Sequence, residues 1–413
     1  MKKKILPILV SLLLIGAMVF AFAACDFGKD TTPTTTDPPA ATTPVSGIAA
    51  KDIKIGVLHI ADSKYLTGYT GAHQRGILAM VEELGLDLQK NVFIQDQVDD
   101  VSTKATNEAL QKLVDDGCNV IFATSYNYMD KVEKFAKDYP DILFSHCSGY
   151  KSNGTNFNNY FGAIYEARYL AGIAAGEKLK AEGKKIAGYV AAQDVTNAEV
   201  TGGVDAWALG IQSVVPDAKV LVSVTGTWYN DVEEGKAAKA LISKGATVIG
   251  QHCDTENPQL EAANAGVFGV GYNTDMTIKD KTDKSHIIAP VWNWGVYYTA
   301  TVKSVLDGTA KDASGKWKVD NYFGNIKDGL IGLSPLNAAI VPEGTQEKID
   351  AAKAKIVDGS LVIFDKGVTF IDKNGKEVVL DKPLTVAEIT GGKLEALKDT
   401  DQTISYIKGV ELA

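Results

Sequence analysis

One short pattern occurs twice in this chain: Leu113-Val114-Asp115-Asp116-Gly117-Cys118-Asn119-Val120-Ile121 is echoed by Leu241-Ile242-Ser243-Lys244-Gly245-Ala246-Thr247-Val248-Ile249. Each copy reads as the end of a helix, a capping glycine and an apolar strand. Upstream, Lys54-Ile55-Gly56 and Lys185-Ile186-Ala187 open apolar strands at nearly the same offset. Around these echoes strand and helix signals alternate. Ile53 to Ile60 reads as a strand, Thr70 to Leu84 as an amphipathic helix and Val92 to Gln95 as a strand. A second helix starts at the N-cap Ser102, carries Leu110, Leu113 and Val114 on one face, and leads to a buried strand from Asn119 to Thr124. Such alternation belongs to parallel sheets with helices on both faces. Any two α/β units share this pattern, so the echo speaks for equivalent structure rather than for duplication. From about Ile48 to Ala413 the chain exceeds one ordinary domain and suffices for two lobes with separate cores.

The beginning of the chain is different in kind. Lys2 to Lys4 are followed by an uncharged apolar run from Ile5 to Ala24, the order of an export signal. Its length would permit a membrane span, but Ala23 and Ala24 directly before Cys25 look like a bacterial lipobox, in which cleavage leaves Cys25 as the acylated N-terminus. The residues that follow are rich in Thr and Pro (Pro33, Pro38, Pro39, Pro44) and carry too few apolar groups to fold. They read as a tether, rising about 3.1 Å per residue where polyproline-like. The expected organisation is a signal peptide at 1–24, a lipidated cysteine and tether at 25–50, and an N-terminal lobe at 51–164 completed by segments after about 290. A C-terminal lobe at 165–289, a crossover with returning helix at 290–332 and an appendage at 333–413 follow.

Charge and cysteine content exclude several classes. The formal net charge is -9, and loss of the three signal lysines makes it -12, so nucleic acid has no electrostatic footprint here. With Cys25 assigned to lipid, Cys118, Cys147 and Cys253 are left as an odd set of buried thiols rather than a disulfide framework. No Gly-x-Ser-x-Gly elbow or Walker loop occurs, and Gly269-Val270-Gly271 lacks the rest of a dinucleotide fingerprint. His252, Cys253 and Asp254 are consecutive and on a strand would face alternate sides, which argues against one metal site. Near the first strand only Asp62 is available, where a nucleoside hydrolase would need a run of aspartates. No catalytic residue, metal or cofactor is expected.

Open α/β sheets bind ligands at the carboxyl ends of their strands, and there the chain places its least ordinary residues. These are Tyr65 to Tyr69, Ser125-Tyr126-Asn127-Tyr128, Gln193-Asp194, Thr227-Trp228-Tyr229, Gln251 to Asp254, Asn273-Thr274-Asp275 and Trp292-Asn293-Trp294. Aromatics alternating with carboxamides and carboxylates suit a flat polar ring held between aromatic faces, with donors and acceptors read at its edge. Purines fit, and so do nucleosides, whose sugar hydroxyls an aspartate can accept. Trp207 and Trp317 lie outside such loops and read as structural, and a histidine such as His73, one turn into the first helix, reaches the cleft or bonds within its own lobe.

The stretch from Asn158 to Asp328 resembles the basic membrane protein (BMP) family of lipoproteins, substrate-binding components of ABC transporters that take up purine nucleosides and related compounds. The motifs are Tyr160-Phe161-Gly162 with Tyr165-Glu166-Ala167-Arg168-Tyr169-Leu170-Ala171-Gly172, Val270-Gly271-Tyr272-Asn273-Thr274-Asp275-Met276, and Ala289-Pro290-Val291-Trp292-Asn293-Trp294-Gly295. The resemblance implies a type I periplasmic-binding-protein fold, two Rossmann-like lobes with a ligand cleft between them. In the branch most like this chain the first loop resembles Gly-Trp-x-Tyr-x-His followed by Gly-Arg. Here it is Gly68-Tyr69-Thr70-Gly71-Ala72-His73-Gln74-Arg75-Gly76, with Tyr69 in place of Trp and Gly71 in place of an aromatic. The acidic Ser-Phe-Asn loop of the nucleoside-binding branch is missing, so that branch's contacts do not carry over.

By position, Tyr69, Tyr126 and Trp228 are the expected stacking faces and Asp254, Asn273 and Asp275 the polar readers; Trp292 lines the cleft or packs the hinge. Glu166 is expected to pair with Arg168 or to cap backbone amides. The expected function is a monomeric, membrane-anchored extracytoplasmic binding protein that captures a purine nucleoside or nucleobase by lobe closure and passes it to an ABC permease. A receptor for a sugar or flavin, or a sensor signalling through a membrane partner, remains open. Beyond about Leu333 the residues predict a helix at Gln346 to Lys355, short strands at Leu361 to Phe364, Val368 to Ile371 and Glu377 to Leu380, and a hairpin turn at Asp372-Lys373-Asn374-Gly375.

Overall fold

The strand Ile55–His59 is buried along its whole length, as a strand covered on both faces must be. It pairs in parallel with Val92–Gln95 on one side and Val120–Thr124 on the other. In the computed structural model, which describes residues 46–372, 374–391 and 406–413, these strands belong to a six-stranded sheet with Val92–Gln95 at one edge. Its spatial order is Tyr322–Gly324, Phe157–Gly162, Leu143–Cys147, Val120–Thr124, Ile55–His59, Val92–Gln95. A second six-stranded sheet runs His286–Ile288, Phe268–Val270, Val248–Gln251, Ile186–Ala191, Lys219–Val224, Val410–Leu412. All pairings in both are parallel. In each, the strand earliest in the chain lies between the next two, so the strand order reverses there and opens a crevice at the carboxyl ends.

The echoed segments occupy equivalent places. Helix Thr103–Asp115 and Gly117 (φ 80°) lead into Val120–Thr124, and helix Asp231–Ser243 and Gly245 (φ 94°) lead into Val248–Gln251. The Ser102 side chain caps the first of these helices by accepting from the Ala105 amide. Three apolar clusters fill the fold. Leu58, Leu110 and Phe144 belong to one outer core and Val190, Leu241 and Ile249 to another, while a shared cluster runs from Ile55 through Leu170 and Trp207 to Val248.

Helices Ile164–Ala181 and Ala198–Gln212 approach backbone to backbone. A methyl group at Gly172 would overlap the Trp207 carbonyl, and one at Gly210 would overlap the Tyr169 carbonyl. Arg168 and Glu199 ride on these two helices, so this contact sets their relative position.

Several expectations need correction. The expected tether ends earlier than residue 50, since Ile48 donates its amide to the Val305 carbonyl at 3.2 Å and Gly47 lies against Leu306. Leu361 to Phe364 is not a strand: Gly359 ends helix Thr345–Asp358 in a left-handed turn, and the apolar residues plug a gap, with Phe364 buried beside Tyr165 and Phe370. Periodicity cannot separate a strand from a plug in so short a run. The hairpin is present as Thr369–Ile371 against Glu377–Val379, with Gly375 at φ 78°. The expected appendage is built into the lobes, because Val410–Leu412 is the sixth strand of the second sheet and Lys348 of the helix bonds the buried Glu177 at 2.8 Å. Of the two alternatives for Glu166 the structure has the second: rather than pairing with Arg168, its Oε2 accepts from the Ile326 backbone amide at 2.9 Å. Cys25, the signal and most of the tether lie outside the described residues.

Gly210→Ala forces two backbones apart and should lower unfolding free energy by about 2 kcal/mol or more, read from chemical denaturation midpoints, whereas Gly183→Ala, a turn with φ 62° and open space around it, should cost about 1 kcal/mol.

Candidate functional site

Loops at the carboxyl ends of both sheets converge on two adjoining cavities. The smaller, of about 130 Å³, is lined by Ile60, Tyr69, Asp100, Ser125, Tyr126, Asn127 and Ser148 from the first lobe and by Asn197, Glu199, Trp228, Asp254 and Tyr272 from the second. The larger, of about 530 Å³, adds Phe161, Tyr165, Thr196, Gly203, Asn321 and Phe323 among others, with Ile389 and Thr390 as part of its wall. Tyr126, Ser148, Asn197 and Glu199 border both, so the cavities meet there.

The smaller cavity is acidic, with Asp100, Glu199 and Asp254 in its lining and neither lysine nor arginine. Asp100 Oδ2 accepts from the Ser125 hydroxyl and, at 3.1 Å, from Asn127 Nδ2. Burial, with Glu234 and Glu199 nearby, pushes the Asp254 carboxyl well above the usual range, opposed by a 2.8 Å hydrogen bond from Asn273 Nδ2. Glu199, in the first turn of its helix after the capping Asn197, is pushed up to about 7 by burial, opposed by the Arg168 charge and a hydrogen bond from Tyr272.

Behind Glu199 lies a buried polar layer. Tyr272 Oη donates to Glu199 Oε1 at 3.4 Å, and His252 Nε2 stands 3.4 Å from the same oxygen. Burial first, and then Arg168, hold His252 well below its ordinary pKa, so it is neutral. Arg168 is 2 % exposed, donates Nη1 to Tyr189 Oη and to the Gln251 carbonyl, and sits 4.0 Å from the Tyr272 ring centre. Its Nε and Nη2 have no hydrogen-bond partner among the described residues.

Of the residues expected from sequence, Tyr69, Tyr126, Trp228 and Asp254 come together in the smaller cavity. The other three do not line it. Asn273 is fully buried behind Asp254, turned inward by a left-handed backbone (φ 65°) that asparagine tolerates. Asp275 is outside both cavities, half exposed, accepting from the Thr277 amide at 2.9 Å. Trp292 lines neither cavity: it is 3 % exposed, stacks on Trp294 at 4.3 Å and lies in the small antiparallel pair Pro290–Trp292 with Ile331–Leu333. His73 bonds Tyr298 Oη at 2.6 Å within the packed interior. Sequence reasoning missed Asp100, Glu199 and Tyr272. An N-capping asparagine followed by Glu two residues on, just after the strand-end pair Gln193-Asp194, was the available signal for Glu199.

A family description, Bmp, "ABC transporter substrate-binding protein PnrA-like", matches residues 57–364. The chain belongs to this family. Bmp-family proteins are the binding components of ABC transporters and work outside the cytoplasm. A purine-binding protein of Brucella abortus is 33% identical over 313 residues, spanning 76% of this chain and 83% of that one. A putative ABC transporter glucose-binding protein of Haloferax volcanii is 30% identical over 297 residues, 72% of this chain and 70% of that one. An ABC transporter solute-binding protein of Aeropyrum pernix shares the fold with a TM-score of 0.61 at 17% identity, covering 83% of this chain and 99% of that one. This Bmp-family chain thus has the type I periplasmic-binding-protein architecture. Among the described residues no helix is long and apolar enough to cross a membrane.

The raised Glu199 carboxyl has a thermodynamic signature. Between its ordinary value of about 4.3 and about 7 the folded protein holds a proton that the unfolded chain has lost, so this group's stabilisation declines as pH rises through that window. The ligand-free Glu199→Gln variant should therefore show a shallower fall in melting temperature from pH 5 to pH 8 than the unmodified protein, in matched thermal scans.

Proposed function

We propose that this protein is a lipid-anchored receptor that captures a purine nucleoside or nucleobase by lobe closure and delivers it to an ABC permease. The observation that carries the reading is the lining of the smaller cavity. Tyr69 and Tyr126 from one lobe and Trp228 and Tyr272 from the other surround a space of about 130 Å³ edged by Asp100, Glu199 and Asp254. Its volume is that of roughly four waters, the scale of a bicyclic heterocycle. Aromatic faces supply area to a flat ring, and carboxylates accept from its N–H groups or from sugar hydroxyls. The purine-binding relative supports the same ligand class.

Lobe closure is supported by Gly68. This first-lobe residue has φ 64° and lies so near the second lobe that a methyl group on it would be 2.8 Å from the Asp254 carbonyl oxygen. A ligand that touches Tyr69 and Trp228 together favours this apposition over an open form, and the permease would recognise the closed form. The anchor rests on Ala23-Ala24-Cys25 and the Thr/Pro-rich segment after it. A second reading, a sugar receptor, is favoured by the Haloferax relative's glucose-binding name and by the same carboxylates.

Mass spectrometry of ligand released from the purified protein, with thermal-shift panels of purines and sugars, tests the reading. A purine nucleoside or base should raise the melting temperature, and Trp228→Ala should reduce that rise; a response to sugars alone would replace the ligand class. Gly68→Ala should weaken ligand binding at least tenfold while leaving the cavity side chains in place, and equal affinity would count against closure at this contact. Cys25→Ala should move the protein from the membrane fraction to the soluble fraction.

A further inference from the structure

We infer that Glu199 is the ligand-reading carboxylate of the cleft and that it accepts from a vicinal diol, the ribose of a nucleoside or a free sugar. The inference rests on the proposed cleft site and specifies what part of the ligand is read there. Three observations converge. First, Glu199 is the one charged residue that borders both cavities, at the junction where a ring seated among Tyr69, Trp228 and Tyr272 would continue into the larger space. Second, its two oxygens are unlike. Oε1 is held by Tyr272 Oη and faces His252 Nε2, each at 3.4 Å, whereas Oε2 takes no hydrogen bond from a described residue and the side chain keeps 23 % exposure. The carboxylate is thus oriented by one oxygen and presented by the other. Third, the guanidinium of Arg168, buried behind Glu199 with Nε and Nη2 unpartnered, supplies a positive charge that favours the ionised carboxylate.

A carboxylate is an acceptor without donors when ionised and suits two adjacent hydroxyls, which both donate. The larger cavity, within the range of small-molecule sites, accommodates a sugar: it presents Tyr126, Asn197 and Phe161 and brings no second charge to compete. The smaller cavity alone accommodates a base. A nucleoside therefore uses both spaces and a nucleobase only one.

The carboxylate titrates near the working range, so capture should depend on pH. The groups that face it are Arg168 on the preceding helix, His252 beyond strand Val248–Gln251, Tyr272 beyond Phe268–Val270, Tyr189 on the central strand, and Asp254, Tyr69 and Cys147 across the cleft. Of these, His252 stays neutral, and burial raises the three tyrosines and Cys147 away from neutrality. Asp254 is the one neighbour that also carries a raised carboxyl, so Glu199→Gln separates the two contributions.

Isothermal titration with adenosine, 2′-deoxyadenosine, adenine, ribose and glucose at pH 6 and pH 8.5 tests the inference. Adenosine should bind roughly tenfold or more tightly than 2′-deoxyadenosine and adenine at pH 8.5. Glu199→Gln should erase that preference and the gain in adenosine affinity from pH 6 to pH 8.5, with its fold checked by circular dichroism; Glu199→Asp should keep part of both. Binding of a sugar but of no purine, lost in Glu199→Gln, upholds diol reading by Glu199 and overturns the purine assignment. Equal affinity for adenosine and adenine, or a preference for adenosine unchanged in Glu199→Gln, overturns the role of Glu199, and so does failure of every diol-bearing compound to bind.

Discussion

The close approach of two helices through Gly172 and Gly210 is the contact on which the second lobe's side of the cleft depends. Ridge-and-groove packing normally keeps helix axes 8–10 Å apart. Here two missing side chains let carbonyls of one helix meet α-carbons of the other. Arg168 lies one turn before Gly172, and Glu199 opens the facing helix. A wider separation would weaken the attraction by which the buried Arg168 guanidinium favours the ionised Glu199 carboxylate. The glycine contact and the cleft's electrostatics are thus one design problem.

That electrostatic arrangement also limits what the cleft accepts. The lining of the smaller cavity is rich in acceptors; the Arg168 guanidinium is directed into the protein, and the Lys131 ammonium is spent on the backbone carbonyls of Asp100 and Asn127 at 2.6 and 3.0 Å. A phosphate would meet three carboxyl groups with no compensating charge. Donor-rich neutral solutes meet the opposite situation. His252 is neutral and shares hydrogen bonds with Tyr189 and Glu199, so it stiffens the polar layer without adding charge.

The fold was legible in sequence because helix caps, glycines and buried strands are local signals: Ser102, Gly117 and Gly245 mark the same turn points in sequence and structure. The lining of the candidate cavity was legible to the extent that strand-end loops were. Tyr69, Tyr126, Trp228 and Asp254 followed from that rule alone. Asn273, Asp275 and Trp292 share such loops but point elsewhere, because backbone direction within a loop, such as the left-handed turn at Asn273, is not written in residue type. Glu199 escaped because a charged residue in a helix's first turn reads as ordinary dipole complementarity. The strand Val410–Leu412 escaped because three residues carry no period, and its partner Lys219–Val224 lies far earlier in the chain.

That late strand has a bearing on how the molecule is made. Until Val410–Leu412 arrives, Lys219–Val224 is an open sheet edge, and until Tyr322–Gly324 arrives, Phe157–Gly162 is another. Neither sheet can be finished from a contiguous stretch of polypeptide, and pairings of such long sequence separation form slowly. A nascent chain therefore stays incomplete while most of it is still emerging. Delayed completion thus keeps two sheet edges open, and the polypeptide loose, until both late strands are available.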